Sequence, residues 1–132
     1  MAEATWDDVR RLALALPDTE ETISRDNAFW RVHGKGFVWE RPLRGADLAH
    51  VELAEQPGPV LGAKVDDEAT KFALASSDPS VFFTTPHFDG YPSVLVWLDA
   101  VPLERLEEIV ADAWLATAPR AAVREWVGAR EG

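Results

Sequence analysis

Two apolar runs, Val81–Phe83 and Val94–Leu98, dominate the alternation of hydrophobic and polar positions along this chain. Runs rich in Val, Phe, Leu and Trp are typical of strands. The stretch between them, TTPHFDGYP, is polar, and its Pro86, Gly90 and Pro92 interrupt both helices and strand pairing. The pattern therefore predicts a buried pair of antiparallel strands joined by a long loop. Apolar residues at both alternating positions predict cover on both faces.

Helical spacing of apolar residues predicts four helices. The first begins at Thr5, which forms a capping-box pattern with Asp8, and Pro17 stops it. The second, in the middle of the chain, is capped by Asp66 or Asp67. The last two are Leu103–Ala116, with an apolar side formed by Leu106, Ile109, Val110, Ala113, Trp114 and Thr117, and a helix that starts at Pro119.

The remaining apolar segments predict three or four further strands. The acidic stretch Asp18–Asn27 has no clear period and is interpreted as a short turn or an extended arm. Short connections favour antiparallel neighbours. We therefore predict one α+β domain over residues 1–132, with an antiparallel sheet and helices mainly on one face. The predicted strands are Ala28–His33, Phe37–Arg41 after a turn at Gly34–Gly36, Leu48–Leu53 and Leu61–Val65.

Composition narrows the class of protein. Hydrophobic residues make up 47% of the 132 residues, which excludes a disordered chain, and cysteine is absent, which excludes a disulfide framework. No stretch approaches the roughly 20 apolar residues of a membrane span. We therefore expect a cytoplasmic protein without membrane contact. The net charge of -10 disfavours a general DNA coat but allows a local basic patch.

Such a local patch is predicted in the first hairpin. Between positions 25 and 44 the chain carries five bases and two acids, a local excess of three positive charges. From Phe72 to Glu104 it carries no Lys or Arg at all. A basic wing is therefore predicted on the first hairpin but not on the second. The candidate DNA-contacting residues are Arg25, Arg31, Lys35, Arg41 and Arg44.

The loop between the two apolar runs gathers hydrogen-bonding side chains. Such a loop could bind a small polar ligand, with His87 as a proton donor. It could equally use its Thr and Asp side chains to satisfy its own backbone. Trp39, beside the cations of the first hairpin, could stack a base or pack across strands. The candidate ligand-binding residues are Trp39, Thr84, Thr85, His87, Asp89 and Tyr91.

Signatures of catalysis and metal binding are not found in the sequence. His33, His50 and His87 are scattered singly, without the spacing of an HExxH metal motif. The GKG segment is too short for a phosphate loop, and no GxSxG motif occurs. We therefore predict no catalytic residues, no metal site and no cofactor.

Five stretches of this sequence resemble the MmcQ/YjbR-like family of small bacterial proteins. They are LALALPDTEE, FWRVHGKGFVWERPL, LGAKV, FFTTPHFDGYPSVLVWLD and APRAAVREW. The resemblance covers nearly the whole chain. It implies a DNA-binding role, because the family is generally described as DNA-binding, with its hairpins acting as a double wing.

These observations lead to two functional hypotheses. The first is a non-catalytic module for DNA, which the resemblance implies, with weak binding through the first hairpin, which the local charge predicts. The alternative is a module that binds a small molecule or a protein through the Thr84–Pro92 loop. One continuous basic face would favour DNA, whereas a pocket around His87 would favour a ligand. The sequence leaves a monomer and a dimer equally open.

Overall fold

A computed structural model describes residues 4–131 of the chain. Within that range the chain forms five α-helices, one short 3-10 helix and six strands. In chain order these are α1 Trp6–Leu14, β1 Thr19–Ser24, β2 Asn27–Val32, β3 Lys35–Glu40, α2 Gly45–His50, β4 Val60–Lys64, α3 Glu68–Ser77, β5 Phe82–Phe83, the 3-10 helix Pro86–Phe88, β6 Ser93–Trp97, α4 Leu103–Thr117 and α5 Arg120–Glu131.

The six strands form one antiparallel sheet in the order β1-β2-β3-β4-β6-β5. The predicted α+β class is confirmed. The predicted pairing of the two apolar runs is also confirmed, because Phe82 lies opposite Val96 and Phe83 opposite Leu95. Strand β6 pairs with β4 on its other side, so the second apolar run lies inside the sheet and the first run forms an edge.

Helices α1 and α4 cover one face of the sheet, which we call the helix face. The main core lies there and includes the buried side chains of Trp30, Phe37 and Trp114. The Trp114 indole N–H donates to the Pro17 carbonyl oxygen at 3.1 Å, which fixes α4 to the end of α1. Helix α5 joins this core through Trp126, whose ring centroid lies 5.4 Å from that of Trp114.

The opposite face, which we call the open face, carries a smaller apolar cluster formed by Leu43, Val60, Phe88 and Leu95. Along β6, Val94 and Val96 face the main core whereas Leu95 faces this smaller cluster. Both faces of β6 are therefore covered, as its unbroken apolar run predicts. The cover on the open face comes from the 3-10 helix and the segment before α2.

The predicted helix starts are confirmed by their caps. The Thr5 hydroxyl accepts from the Asp8 amide at 3.3 Å and the Asp8 carboxylate accepts from the Thr5 amide at 2.9 Å, a complete capping box. The Asp67 carboxylate accepts from the Thr70 amide at 2.8 Å at the start of α3. Helix α4 buries the predicted Leu106, Ile109, Val110, Ala113 and Trp114, with Thr117 half-buried.

The prediction of a strand at Leu48–Leu53 is wrong, because this segment lies in α2 and the turn that follows it. The start of α2 is stabilised by a polar cap, which the alternation of hydrophobic and polar residues does not reveal. The Asp47 carboxylate accepts from the Arg44 amide at 2.9 Å, and the Leu48 amide donates to the Arg44 carbonyl oxygen at 2.9 Å. These bonds fix a helical turn in place of an extended strand.

The Asp18–Asn27 stretch, interpreted as a turn or an arm, contains the edge strand β1. It pairs with β2 through residues 19–24, and Glu21 accepts from the Trp30 indole N–H at 2.9 Å. The turn predicted at Gly34–Gly36 lies instead at His33 and Gly34, whose φ angles are 49° and 80°. Gly36 belongs to β3, where the Phe29 ring occupies the space that a Cβ would need.

Candidate functional site

The floor of a groove on the open face is aromatic. Trp39 of β3 lies over Gly62 of β4, where a Cβ would overlap the indole ring. The sheet can hold the indole this closely only because position 62 has no side chain. Phe88, from the 3-10 helix, lies beside it and is 9% exposed. Two aromatic side chains from distant parts of the chain thus form one surface.

A buried lysine fixes the loop that carries Phe88. Lys71 of α3 is 0% exposed, and its ammonium group donates to the carbonyl oxygens of Phe88 at 2.5 Å and Tyr91 at 3.0 Å. These bonds hold the segment 88–91 at both of its ends. Sequence analysis missed Lys71, although it is the last cation before the base-free stretch Phe72–Glu104.

A buried ion pair supports the same aromatic surface from the other side. The guanidinium of Arg41 donates to Asp47 at 3.0 Å and to the Pro42 carbonyl oxygen, and it lies 5.3 Å from the centre of the Phe88 ring. Burial raises the pKa of the Asp47 carboxyl, but the Arg44 amide and the Arg41 charge outweigh it and lower the pKa overall. The charge of Arg41 is therefore neutralised within the fold.

Three adjoining cavities, of about 530, 330 and 210 Å³, surround this floor, and His87 lines all of them. We call their union the open-face groove. The first and the third volumes share Trp39 and Phe88, whereas the two larger volumes share Arg41 and Arg44. The volume of the first cavity lies within the range of about 300–1,000 Å³ that is typical of small-ligand sites.

The structure divides the five predicted DNA-contacting cations between two places. Arg25, Arg41 and Arg44 line the open-face groove. Lys35 is the first residue of β3, at the tip of the first hairpin and about 20 Å away at about 3.3 Å per strand residue. Arg31, on β2, pairs with Glu20 at 3.2 Å. The five residues therefore do not form one continuous basic face.

The six predicted ligand-binding residues are divided as well. Trp39, His87 and Tyr91 line one cavity of the groove, together with Lys64, which the sequence analysis did not single out. Thr84, Thr85 and Asp89 line none of its three cavities. Thr85 is 1% exposed, so its side chain belongs to the interior of the fold.

The open-face groove carries more cations than carboxylates, although the chain as a whole is acidic. Its lining includes four cations and only two carboxylates. One carboxylate, Asp47, is paired with Arg41, and the other, Glu40, accepts from the Ala28 amide at 3.1 Å. Arg25, Arg44 and Lys64 remain as cations whose side chains have no carboxylate partner among residues 4–130.

Another cavity of about 530 Å³ lies between α1, α4 and α5. Its rim is acidic, so it would repel an anionic ligand. Among the side chains described, those of residues 4–130, no three from His, Asp or Glu cluster as a metal site would require. No helix in this part of the chain is long and apolar enough to cross a membrane. The acidic rim consists of Glu104, Glu107, Glu108 and Asp112.

Both the sequence and the fold of this chain are similar to those of known proteins. Uncharacterised proteins of Mycobacterium tuberculosis and Mycobacterium bovis are 47% identical to the chain over 127 residues, covering 94% of this chain and 96% of each relative. The crystal structure of Deinococcus radiodurans protein DR2400, whose domain is described as DUF419, matches with a TM-score of 0.66 and 25% identity over 96% of this chain and 89% of that chain. A family model described as YjbR matches residues 14–116. The chain therefore belongs to the YjbR family.

Proposed function

We propose that the chain is a non-catalytic binding module whose open-face groove takes a nucleotide unit, that is, a planar base joined to a phosphate. The unit is either a free nucleotide or part of single-stranded DNA. The observation that carries the proposal is the meeting of the Trp39 and Phe88 rings with Arg25, Arg44 and Lys64 around cavities that share His87. Aromatic faces that stack bases, within a cationic groove, are typical of single-strand binding sites.

Each group in the groove has a distinct role in this proposal. The half-buried Trp39 indole, held in place by Gly62, offers a face for a base. Exposed Arg25 and Arg44 attract the phosphate at one end, and Lys64 attracts it at the other. Guanidinium groups suit phosphate because their N–H donors match two oxygens at once.

Duplex DNA held by the first hairpin is the second candidate, favoured by the exposed cation Lys35 at the turn between β2 and β3. Its weakness is the small number of cations left for phosphate. Arg31 is paired with Glu20 and Arg41 with Asp47. A wing that contacts a duplex would therefore depend on Lys35, whereas the groove would not.

The test separates the two candidates with matched variants. Labelled single-stranded DNA of about ten nucleotides, within the range of about 4–16 that one such site covers, is titrated with the protein by fluorescence anisotropy. The same experiment uses a labelled duplex, and calorimetry measures a free mononucleotide. The double variant Arg25→Ala/Arg44→Ala should bind single strands at least about tenfold more weakly, because two charge-assisted contacts are lost. Lys35→Ala should bind them unchanged.

The opposite pattern would contradict the proposal. Binding that falls in Lys35→Ala and persists in the groove variant would place the contact on the hairpin tip. Binding of the mononucleotide alone would identify a metabolite site in place of a DNA site. No binding of any of the three probes would remove the case for a nucleotide ligand.

A further inference from the structure

A smaller cavity of about 170 Å³ lies on the helix side of the sheet, between α3 and α4. It is close in size to cavities of about 150 Å³ that hold a benzene-sized molecule. Apolar side chains, the Thr70 side chain and several charged residues line it together, and we call it the α3–α4 cavity. The apolar lining residues are Val65, Leu74, Phe82, Val94 and Ile109.

The mouth of the α3–α4 cavity carries charges of both signs. Arg105 supplies the cation, and Asp66 and Asp112 supply the carboxylates. A partly apolar cavity with one guanidinium and two carboxylates at its entrance does not suit a purely apolar ligand or an ion of one sign. It suits a molecule that carries a positive group, a negative group and a short apolar chain.

Arg105 is held so that it can receive a carboxylate. Its guanidinium lies 5.4 Å from the centre of the Phe82 ring, at the wall of the cavity. One nitrogen, Nη1, donates to the Glu108 carboxylate at 2.8 Å. Because a guanidinium has five N–H donors in a fixed fork, donors remain for a second carboxylate.

Asp112 is suited to an ammonium group. Burial raises the pKa of its carboxyl; Arg105 opposes this, while Glu108 and Asp66 add to the rise. A cation bound at this position would favour the ionised carboxylate and relieve the repulsion between neighbouring acids. The groups that face Asp112 are thus Arg105, Glu108 and Asp66.

We propose that the α3–α4 cavity binds a small apolar α-amino acid. Its ammonium group meets Asp112 and Asp66, its carboxylate meets Arg105, and its side chain fills the space beside Leu74 and Phe82. This site lies on the other side of the sheet from the open-face groove and does not depend on it.

The test uses ligand analogues that each lack one charged group. The full chain, labelled with ¹⁵N, is titrated with L-leucine, with isoamylamine and with 4-methylpentanoate, and amide shifts are followed. L-leucine should shift residues 64–74, 82 and 94 and the first turns of α4, and both analogues should bind at least about tenfold more weakly, because each loses a charge-assisted contact. Equal binding of isoamylamine and L-leucine would overturn the amino-acid assignment, and so would absence of localised shifts with L-leucine.

Two variants and a control locate the site. Asp112→Asn should weaken L-leucine binding about tenfold, and Leu74→Phe should abolish it by filling the cavity. Glu104→Gln, on the same helix but outside this cavity, should bind normally. The amide spectrum of each variant reports whether it is folded. Unchanged L-leucine shifts in a folded Leu74→Phe protein would overturn the proposal, whereas Arg25→Ala/Arg44→Ala should leave these shifts intact.

Discussion

The position of the Trp39 indole depends on the absence of a side chain at Gly62. The indole lies directly over Gly62 on the neighbouring strand, so the open-face groove has its aromatic floor because position 62 is glycine. An added methyl group would have to move the ring or the strand. Cores and close-packed surfaces resist such insertions, which cost about 1–3 kcal/mol.

The first prediction concerns this contact. Gly62→Ala should lower the free energy of unfolding by about 1–3 kcal/mol and weaken ligand binding in the groove, because the Trp39 ring is displaced. Thermal unfolding measures the stability, near-ultraviolet circular dichroism reports the displacement of the Trp39 ring, and the anisotropy titration with single-stranded DNA measures the binding. Gly128→Ala is the matched control: position 128 lies on the exposed side of α5 with open space around it, so the change should stabilise the helix by about 0.5–1 kcal/mol. A Gly62→Ala protein as stable as the original would refute the close contact.

The second prediction concerns Lys71, whose ammonium group holds the loop that carries His87 and Phe88. Lys71→Met removes both hydrogen bonds from the ammonium group, although the Phe88 and Tyr91 carbonyl oxygens still accept from the Tyr91 and Ser93 amides. Because hydrogen bonds to a charged group are lost, we expect the free energy of unfolding to fall by about 1.5–3 kcal/mol. For a domain of this length, each kcal/mol lowers the melting temperature by about 3–5 °C. Lys35→Met, at an exposed turn, is the control and should change the melting temperature by little. Equal melting temperatures for the two variants would count against the role of Lys71.

At the scale of elements, the short helix α2 holds the groove's edge through one buried pair. Asp47 pairs with Arg41 at 3.0 Å, with side chains 4% and 10% exposed, and also caps the start of α2. The segment that connects β3 to β4 is therefore folded around a carboxylate. Breaking a buried pair by removing one partner typically costs about 3–5 kcal/mol, because the other charge stays buried alone.

The third prediction follows from the lowered pKa of Asp47. A carboxyl whose pKa is lower in the folded state contributes stability above its unfolded pKa of about 3.9 and loses it as the pH falls through the folded pKa. Asp47→Asn should therefore lose stability near pH 7 and show a smaller further loss on acidification than the original protein. Urea unfolding at pH 7 and at pH 3 measures this difference. Asp89→Asn, in the exposed loop, should retain the acid dependence of the original; matching pH profiles for Asp47→Asn and the original would contradict the argument.

At the scale of the whole molecule, charge is distributed unevenly. The chain carries a net charge of -10, yet the open-face groove is lined by more cations than carboxylates. The acidic helical surface lies elsewhere, along α4. A polyanion would be repelled by most of the molecule and held only at the groove, which makes binding weak and dependent on salt.

The fourth prediction gives that dependence a magnitude. With three unpaired cations in the groove, the log–log slope of single-strand binding against salt should be about -2, at about 0.7 per phosphate contact. A duplex held by all five cations of the first hairpin would give a slope of about -4.5, at about 0.9 per phosphate contact. Anisotropy titrations across salt concentrations decide between the values. Lys64→Ala should reduce the magnitude of the single-strand slope by about 0.7, the contribution of one phosphate contact. A slope near zero would exclude phosphate contacts.

The sequence by itself determined the parts of this protein that depend on near neighbours in the chain. The capping box at Thr5, the cap at Asp67 and the buried side of α4 were predicted because hydrogen bonds and packing a few residues apart fix them. The pairing of the two apolar runs was predicted because buried strands leave an unbroken apolar pattern.

Only the tertiary structure decided what lies far apart in the chain. The polar segment of β1 becomes a strand because β2 supplies its hydrogen bonds, and α2 replaces a predicted strand because Asp47 meets the Arg44 amide and Arg41. Likewise, cations of the first hairpin line one groove with His87, from the loop between β5 and β6. Lys71 is buried and holds the same loop through the Phe88 carbonyl oxygen. The periodicity of apolar residues shows which positions face a core, but not which distant side chain completes a contact. The site therefore forms only when the sheet brings these residues together.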